Sequence, residues 1–476
     1  MAERLVVVGG DAAGMAAASQ ARRRRPAADL QIVALERGRH VSYSACGIPY
    51  WIGGTVSTVD DLVVRTPAEF RARQDIEVRL RHEAVGLDLD RREVLVRDHD
   101  AGRDLRLGFD QLVLGTGAVP VRPPLPGIDS PGVYGVQTLD DGEAVRAALD
   151  AGARRAVVVG GGYIGLEMAE AFVQRGLEVT VVEAADAPMA SLDPDMGRLL
   201  AGAVQGMGIT LYCGEPVQAV DTDPSGGGVR AVVTAEREIP ADLVVLGLGV
   251  RPNTALASGG GVRIGVTGGI VTDVRMRTLS DEGVWAAGDC VETVNRVSLA
   301  PTAVALGTHA NKQGRVVGIN IGGGYATFPG VVGTAVTKIC ALEVARTGLR
   351  ERDADRAGLR YVTAVVESTT RARYFPGAQP ITTKLLAEKR SGRLLGAQIV
   401  GREGAAKRID VLAAALWNEM TVEEVAGLDL SYAPPFAPVW DPVLIAARKA
   451  WDAVEADVAA QPDTLAAPTR PADRRR

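Results

Sequence analysis

Cysteine is scarce and scattered in this chain. Cys46, Cys213, Cys290 and Cys340 are its four, spread over 476 residues. None forms a CxxC pair, and none stands at a cysteine–histidine spacing that suits a metal ion, so no metal site is expected. So few thiols fit a reducing cytoplasm rather than a disulfide-stapled secreted domain. A basic excess is also absent. The formal net charge is −5, which excludes a nucleic-acid binder that works through its field. No apolar run reads as a membrane span. The amino terminus enters a strand at once, without the charged and apolar segments of a signal peptide, so no leader is expected. Aromatic residues make up 4% while glycines number 56, a pairing that suits an α/β protein with many tight turns. The length allows about three domains, each with its own core.

What the chain has instead is a strand, a glycine turn and a helix in that order, twice. Leu5-Val6-Val7-Val8 is a continuous apolar, β-branched run, as a buried parallel strand requires. Gly9-Gly10-Asp11-Ala12-Ala13-Gly14 follows, and then an Ala-rich helical stretch from Met15 to Arg25. In this context Gly9, Gly10 and Gly14 read as a dinucleotide turn, with a pyrophosphate on the helix N-terminus. Gln31 to Leu35 is the next strand. It ends at Glu36, a carboxylate suited to ribose hydroxyls, with Arg37 beside it. Asp11 departs from the pattern: it takes the place of the middle glycine of GxGxxG and brings a charge near the phosphates.

The second unit is complete. Arg155 to Val159 leads into Gly160-Gly161-Gly162-Tyr163-Ile164-Gly165, then a helix from Leu166 to Arg175 and a strand that ends at Glu183. Gly160, Gly162, Tyr163, Ile164 and Gly165 are expected around a second dinucleotide, with Glu183 on its ribose. Ala184 and Ala185 follow, with no adjacent arginine for a 2′-phosphate. That favours NADH and leaves NADPH open.

Three further turns close apolar strands: Gly115-Thr116-Gly117, Gly247-Leu248-Gly249 and Gly288-Asp289. Asp289 is either an ordinary Asx-turn residue or an acceptor for ribityl hydroxyls. Cys290 beside it reads as packed. A helix is expected after Thr302, with Lys312 solvated and His309 either a satisfied helix residue or a cofactor contact. The run Arg22 to Arg25 is a solvated helix end or meets an anionic ligand. From Gly333 the pattern becomes strand-rich with one helix, Ala405 to Asn418, as in a third α/β domain. Tyr374-Phe375-Pro376-Gly377 and Tyr432-Ala433-Pro434-Pro435-Phe436 lie in it. Tyrosines at proline turns suit interface packing or a site across a subunit boundary.

Val41-Ser42-Tyr43-Ser44-Ala45-Cys46-Gly47-Ile48-Pro49-Tyr50 carries a cysteine with no second cysteine near it. Neither Val41 nor Trp51, five residues to either side, is one. A dithiol centre is thereby excluded. Two readings are left, a packed small hydrophobe and a lone redox thiol along a cofactor, and the two nucleotide turns favour the second. Gly47 lets a backbone or ring approach, and Pro49 fixes a φ angle.

Over Glu3 to Ala450, the two nucleotide turns, the Gly115-Thr116-Gly117 and Gly288-Asp289 turns and the C-terminal domain resemble the two-dinucleotide flavoprotein disulfide reductases. Ser42 to Tyr50, with its lone cysteine, is similar to the branch of coenzyme A-disulfide reductases, NAD(P)H polysulfide and persulfide reductases, NADH oxidases and NADH peroxidases. The Cys-Gly-Ile-Pro-Tyr form and the two tyrosine segments most resemble the coenzyme A-disulfide reductases. The resemblance implies an α/β fold of two Rossmann-like dinucleotide-binding domains plus a C-terminal α/β dimerisation domain. It divides the chain into an FAD domain (1–118 and 250–328), an NAD(P)H domain (119–249), a dimerisation domain (329–455) and a disordered tail (456–476). FAD would lie on the first turn, with Thr116, Gly117, Gly249, Gly288, Asp289 and His309 around it, and NADH on the second. Cys46 would be the redox-active cysteine, resting as a mixed disulfide with coenzyme A. Tyr374 and Tyr432 would be site tyrosines that reach in from the partner subunit of a homodimer; since a phenol can act as a general acid, Tyr432 is the candidate proton donor and Tyr374 the second choice. Gln20, Arg23, Ser42 and Ala45 match positions along a coenzyme A channel, although the usual asparagine before the cysteine is Ala45 here. The implied activity is cytoplasmic reduction of coenzyme A disulfide or a related persulfide by NAD(P)H, with neither membrane nor nucleic acid involved. The alternatives are an NADH oxidase or peroxidase that cycles through a Cys46 sulfenic acid, and a redox-sensing flavoprotein without turnover.

Overall fold

The computed structural model describes residues 2–223 and 227–460. The chain forms two compact units. One comprises the residues up to Ala190 with Leu200–Val331, and the other Ser191–Leu199 with the residues from Val332.

In the first unit, β1 (Glu3–Val8) buries Leu5 to Val8 completely or nearly so. It pairs in parallel with β2 (Leu30–Leu35), Val6 opposite Val33, and on its other side with Gln111–Leu114, Val6 opposite Leu112. The five-stranded sheet runs in the order 284–286, 111–114, β1, β2, 77–79. Helix α1 (Ala12–Arg22) buries Ala13, Gly14, Met15, Ala17, Ala18 and Ala21. That small-residue face lets it lie against the helix Gly307–Ile321. A second five-stranded parallel sheet runs 210–213, 178–183, 155–159, 243–246, 133–134, and its central Val157-Val158-Val159 is fully buried. Parallel strands end on one edge of a sheet. The turns after β1, Gln111–Leu114 and Val284–Ala286 are therefore neighbours, and nucleotide sites of open α/β sheets form at such an edge.

The second unit is built on an antiparallel sheet in the order 335–339, 342–348, 394–401, 380–388, 361–369. Leu394–Gly401 is buried along its whole length, as a central strand covered on both faces requires. The expectation of one helix falls short. The described residues of this unit hold the helices Glu351–Arg356, Ile409–Trp417, Val422–Ala426 and Pro442–Ala459. The last covers the strands Tyr361–Thr369 and Pro380–Glu388. Its buried stripe of Val443, Leu444, Ala446, Ala447, Ala450 and Val454 is half alanine, a weak apolar signal in sequence. It also runs to Ala459, into the segment expected as tail, because Val454 is buried and Asp457 pairs with Lys389. Residues 461–476 of that expected tail lie outside the described residues.

Lys384 is a buried cation of this unit. Its ammonium lies 3.1 Å from Asp193, 2.9 Å from Asp195 and 2.8 Å from Glu351. Gln398 also donates to Asp193, at 2.6 Å. No helix among the described residues is long and apolar enough to cross a membrane.

Candidate active site

The first glycine turn is shaped by close approach. Gly9 has φ +111, and a Cβ on it would stand 2.0 Å from Gly115 O; a Cβ on Gly14 would stand 2.0 Å from Gly9 O. Only glycine fits either place. Glu36 locks the turn with both oxygens, accepting from Gly10 N at 2.9 Å and from Gly38 N at 2.7 Å. Arg37 is exposed at the next position. The second turn repeats the design. Gly160 has φ +101 and lies against Gly247 O, Gly165 lies against Gly160 O, and Glu183 accepts from Gly161 N at 2.7 Å and Ala185 N at 2.8 Å. Tyr163 and Ile164 form the first turn of the helix Tyr163–Gln174, with Gly162 as its N-cap.

Around the first turn, the Thr116 hydroxyl donates to Asn253 O at 2.6 Å. That bond ties the 115–117 turn to the loop after Gly249, whose own carbonyl accepts from Val121 N. Gly288 N donates to Gln313 at 2.7 Å, which holds the Gly-Asp turn on the helix Gly307–Ile321. Burial raises the Asp289 carboxyl to about 6. His309 lies in the first turn of that helix, edge-on to Phe328, and its buried Nδ1 has no hydrogen-bond partner among the described residues. Burial, and then Lys312, lower its pKa, so the ring is neutral. A desolvated carboxyl, an orphaned imidazole nitrogen and two glycine cradles suit a bound dinucleotide rich in hydroxyls and polar edges.

The cysteine segment is strapped to the first turn. Ser42, at φ +50, donates its N–H to Gly10 O at 2.9 Å, and its carbonyl accepts from Val64 N at 2.8 Å. Tyr43 N donates to the Asp11 carboxylate at 3.3 Å, and Ser44 N to Leu62 O at 2.8 Å. Cys46 follows in a single helical turn, Ala45–Gly47, that runs into α2 (Ile48–Gly53) with Pro49 in its first turn. A Cβ on Gly47 would stand 2.2 Å from Leu62 Cδ2. Trp51 and Ile48 pack against Gly142, and Gly53 against Ala171 of the second nucleotide helix. Cys46 is open to solvent on one side. On the other, the protein wall and then the Glu167 and Asp289 carboxylates push its thiol up. The largest charges acting on the sulfur are therefore negative.

Gln20 is half-buried and Arg23 exposed, on one face at the far end of α1. The basic run divides. Arg22 donates to Gln74 O at 2.9 Å and Arg25 pairs with Glu3, which leaves Arg23 and Arg24 exposed. In the second unit the structure brings Tyr374 and Tyr432 together. The neighbouring Tyr374 hydroxyl raises the Tyr432 phenol. Both are exposed, beside the exposed Phe436, Val439 and Trp440. Sequence reading missed the residue that joins the two tyrosine segments. Arg408 donates to Thr370 O at 2.7 Å, to Phe436 O at 2.8 Å and to Asp441 at 3.0 Å. Nothing in the local pattern marks it, because its partners are distant in sequence.

Residues 3–307 match the family model described as pyridine nucleotide-disulphide oxidoreductase, and residues 334–442 match the dimerisation domain of that family. The chain belongs to this family. The pyridine nucleotide-disulphide oxidoreductases include a Pyrococcus horikoshii NAD(P)H coenzyme A polysulfide/persulfide reductase, 38% identical over 94% of this chain and 98% of that protein. A Methanocaldococcus jannaschii NADH oxidase is 35% identical over 94% of this chain and 98% of its own length. Among solved structures, an NAD-dependent persulfide reductase from A. fulgidus superimposes with a TM-score of 0.91 at 40% identity, covering 95% of this chain and 84% of that one. The chain is thus an FAD-dependent NAD(P)H oxidoreductase with a two-nucleotide α/β fold and a C-terminal dimerisation domain.

Proposed function

We propose that the enzyme uses NADH to reduce coenzyme A disulfide, or a related persulfide, through Cys46. The observation that carries this reading is the strap: a lone, solvent-open cysteine, hydrogen-bonded through Ser42 and Tyr43 to the turn that cradles the first dinucleotide. Domains 1–118 with 250–328, 119–249 and 329–455 would hold FAD, NADH and the subunit interface respectively. FAD, once bound, supplies the two-electron relay between nicotinamide and thiol. Gly9, Gly14 and Glu36 hold it at the first turn; Gly160, Gly165 and Glu183 hold NADH at the second. Glu183 disfavours a 2′-phosphate, which supports NADH as the donor.

Cys46 rests as a mixed disulfide with coenzyme A. This neutral form suits a sulfur whose main neighbouring charges are carboxylates. Two electrons break the S–S bond, leaving Cys46 as a thiolate and releasing coenzyme A with a proton. The thiolate attacks one sulfur of the next disulfide, the mixed disulfide re-forms, and the departing thiolate takes a proton. Tyr432 of a partner subunit, paired with Tyr374, supplies it. Arg23 and Gln20 on α1, with Ser42 and Ala45 on the strap, line the path of the coenzyme A chain. A reducing cytoplasm suits this chemistry.

The mass of the unreduced protein tests the reading. An added coenzyme A, lost on thiol treatment and absent in Cys46→Ser, is expected. The similarity to an NADH oxidase favours a second reading in which Cys46 cycles through sulfenic acid. Added oxygen at Cys46, with NADH-driven oxygen consumption and no coenzyme A, would establish it instead.

A further inference from the structure

The two nucleotide turns are built alike, and of the three glycines of the complete pattern one is replaced in the first turn, by Asp11. Each opens on a glycine at positive φ, and each ends on an acid held by two backbone N–H groups. In each, the helix N-cap is extended: Asp11 at φ −112 and ψ −156, Gly162 at φ −80 and ψ −169. A Cβ on Gly162 would meet Gly247 O at 3.7 Å, an ordinary contact. Protein packing therefore does not demand glycine there. The space kept open is ligand space, where a pyrophosphate crosses the helix N-terminus. In the first turn a carboxyl group stands in that space.

An N-cap aspartate ordinarily accepts from an N–H of its own first helical turn. Asp11 makes no such N-cap bond. Its carboxyl meets the adjacent Ala12 N and accepts from Tyr43 N of the strap at 3.3 Å, which leaves the following N–H groups of α1 to a ligand. The groups that face it are Glu36 from the end of β2, Asp289 from the Gly-Asp turn and the Tyr43 phenol from the strap. The helix packed on α1 contributes His309 and Lys312 in its first two turns. An ionised carboxylate in this acidic setting would repel a diphosphate at contact distance.

We propose that Asp11 binds FAD as a neutral acid: one oxygen keeps the Tyr43 N–H, and the carboxyl proton is donated to a pyrophosphate oxygen, so that FAD and one proton are taken up together. This rests on FAD occupying the first turn. Burial first, and the Glu36 and Asp289 carboxylates with it, raise the Asp11 carboxyl to about 6. A diphosphate beside it raises it further. The proton therefore belongs more firmly to the FAD-bound state. Affinity is full below about 6 and falls as pH rises from there towards the bound-state value.

Holoenzyme diluted over a pH series, with released FAD read by fluorescence, tests this. The wild-type dissociation constant is expected to rise about tenfold per pH unit within the window. Asp11→Asn, which offers an N–H where the acid offers O–H, is expected to lose that slope and to hold FAD more tightly than wild type at the upper end. Asp11→Gly restores the glycine and is expected to be flat as well; it decides the matter should the Asn variant not fold. A flat wild-type profile overturns the proposal, and so does an unchanged slope in both variants, which would assign the titration to Asp289 or His309. Purified protein without flavin absorption would instead defeat the reading of the first turn.

Discussion

Cys46 has a sulfur in an acidic setting. Burial on one side, Glu167 and Asp289 all act against its thiolate. A raised thiol is protonated at neutral pH, and its reactive form appears only as pH climbs above the ordinary cysteine range. Alkylation of the reduced enzyme is therefore expected to keep accelerating past the pH at which a free cysteine levels off. In Glu167→Gln the same rise should come at lower pH, since Glu167 is the largest single charge against the thiolate. Glu183 carries the second prediction at this scale. Its oxygens are fixed by Gly161 N and Ala185 N, so the carboxylate cannot swing away from a 2′-phosphate. Glu183→Ser with Ala184→Arg is expected to weaken NADH by about tenfold, roughly the value of one charge-assisted hydrogen bond, and to improve NADPH. Steady-state KM for the two nucleotides checks it.

The strap from Val41 runs into the single helical turn Ala45–Gly47 and is held by Gly10 O, Asp11, Leu62 O and Val64 N. Gly47 has φ −82, so its need for glycine is steric and lies in the Leu62 contact. Gly47→Ala is expected to destabilise by about 1–3 kcal/mol through overpacking, with part of the loss recovered in the double variant with Leu62→Ala. Thermal unfolding measures both. The Lys384 cluster is the corresponding device of the second unit. Lys384→Met leaves Asp193, held by Gln398 and Glu351 N, buried without its cation. A loss of about 3–5 kcal/mol is expected, read as a lowered unfolding midpoint.

At the scale of the whole molecule, the proposed mechanism takes the tyrosine pair and the cysteine from different subunits of a homodimer. Mixed dimers test that assignment. Cys46→Ser and a Tyr374→Phe/Tyr432→Phe chain, each weakened alone, are expected on co-assembly to recover about a quarter of wild-type turnover, because half the dimers are mixed and each holds one intact site. No recovery would place the pair and the thiol in one subunit, or away from the site altogether.

The sequence by itself determined the two nucleotide turns, their acids and the lone cysteine. Gly9, Gly14, Gly160 and Gly165 are dictated by contacts within one strand–turn–helix unit, so local order suffices to read them. Glu36 and Glu183 were legible for the same reason. The helix Pro442–Ala459 was not, because alanine supplies much of its buried face and only the sheet beneath gives that face a meaning. Arg408, the Lys384 cluster and the Tyr374–Tyr432 pair were decided by tertiary structure, since each joins residues far apart in the chain. Asp11 belongs to both levels. The sequence marked it as an exception to the glycine pattern. Only the folded chain turns its carboxyl from the helix to Tyr43 and surrounds it with acids, because these partners come from separate strand ends on one sheet edge.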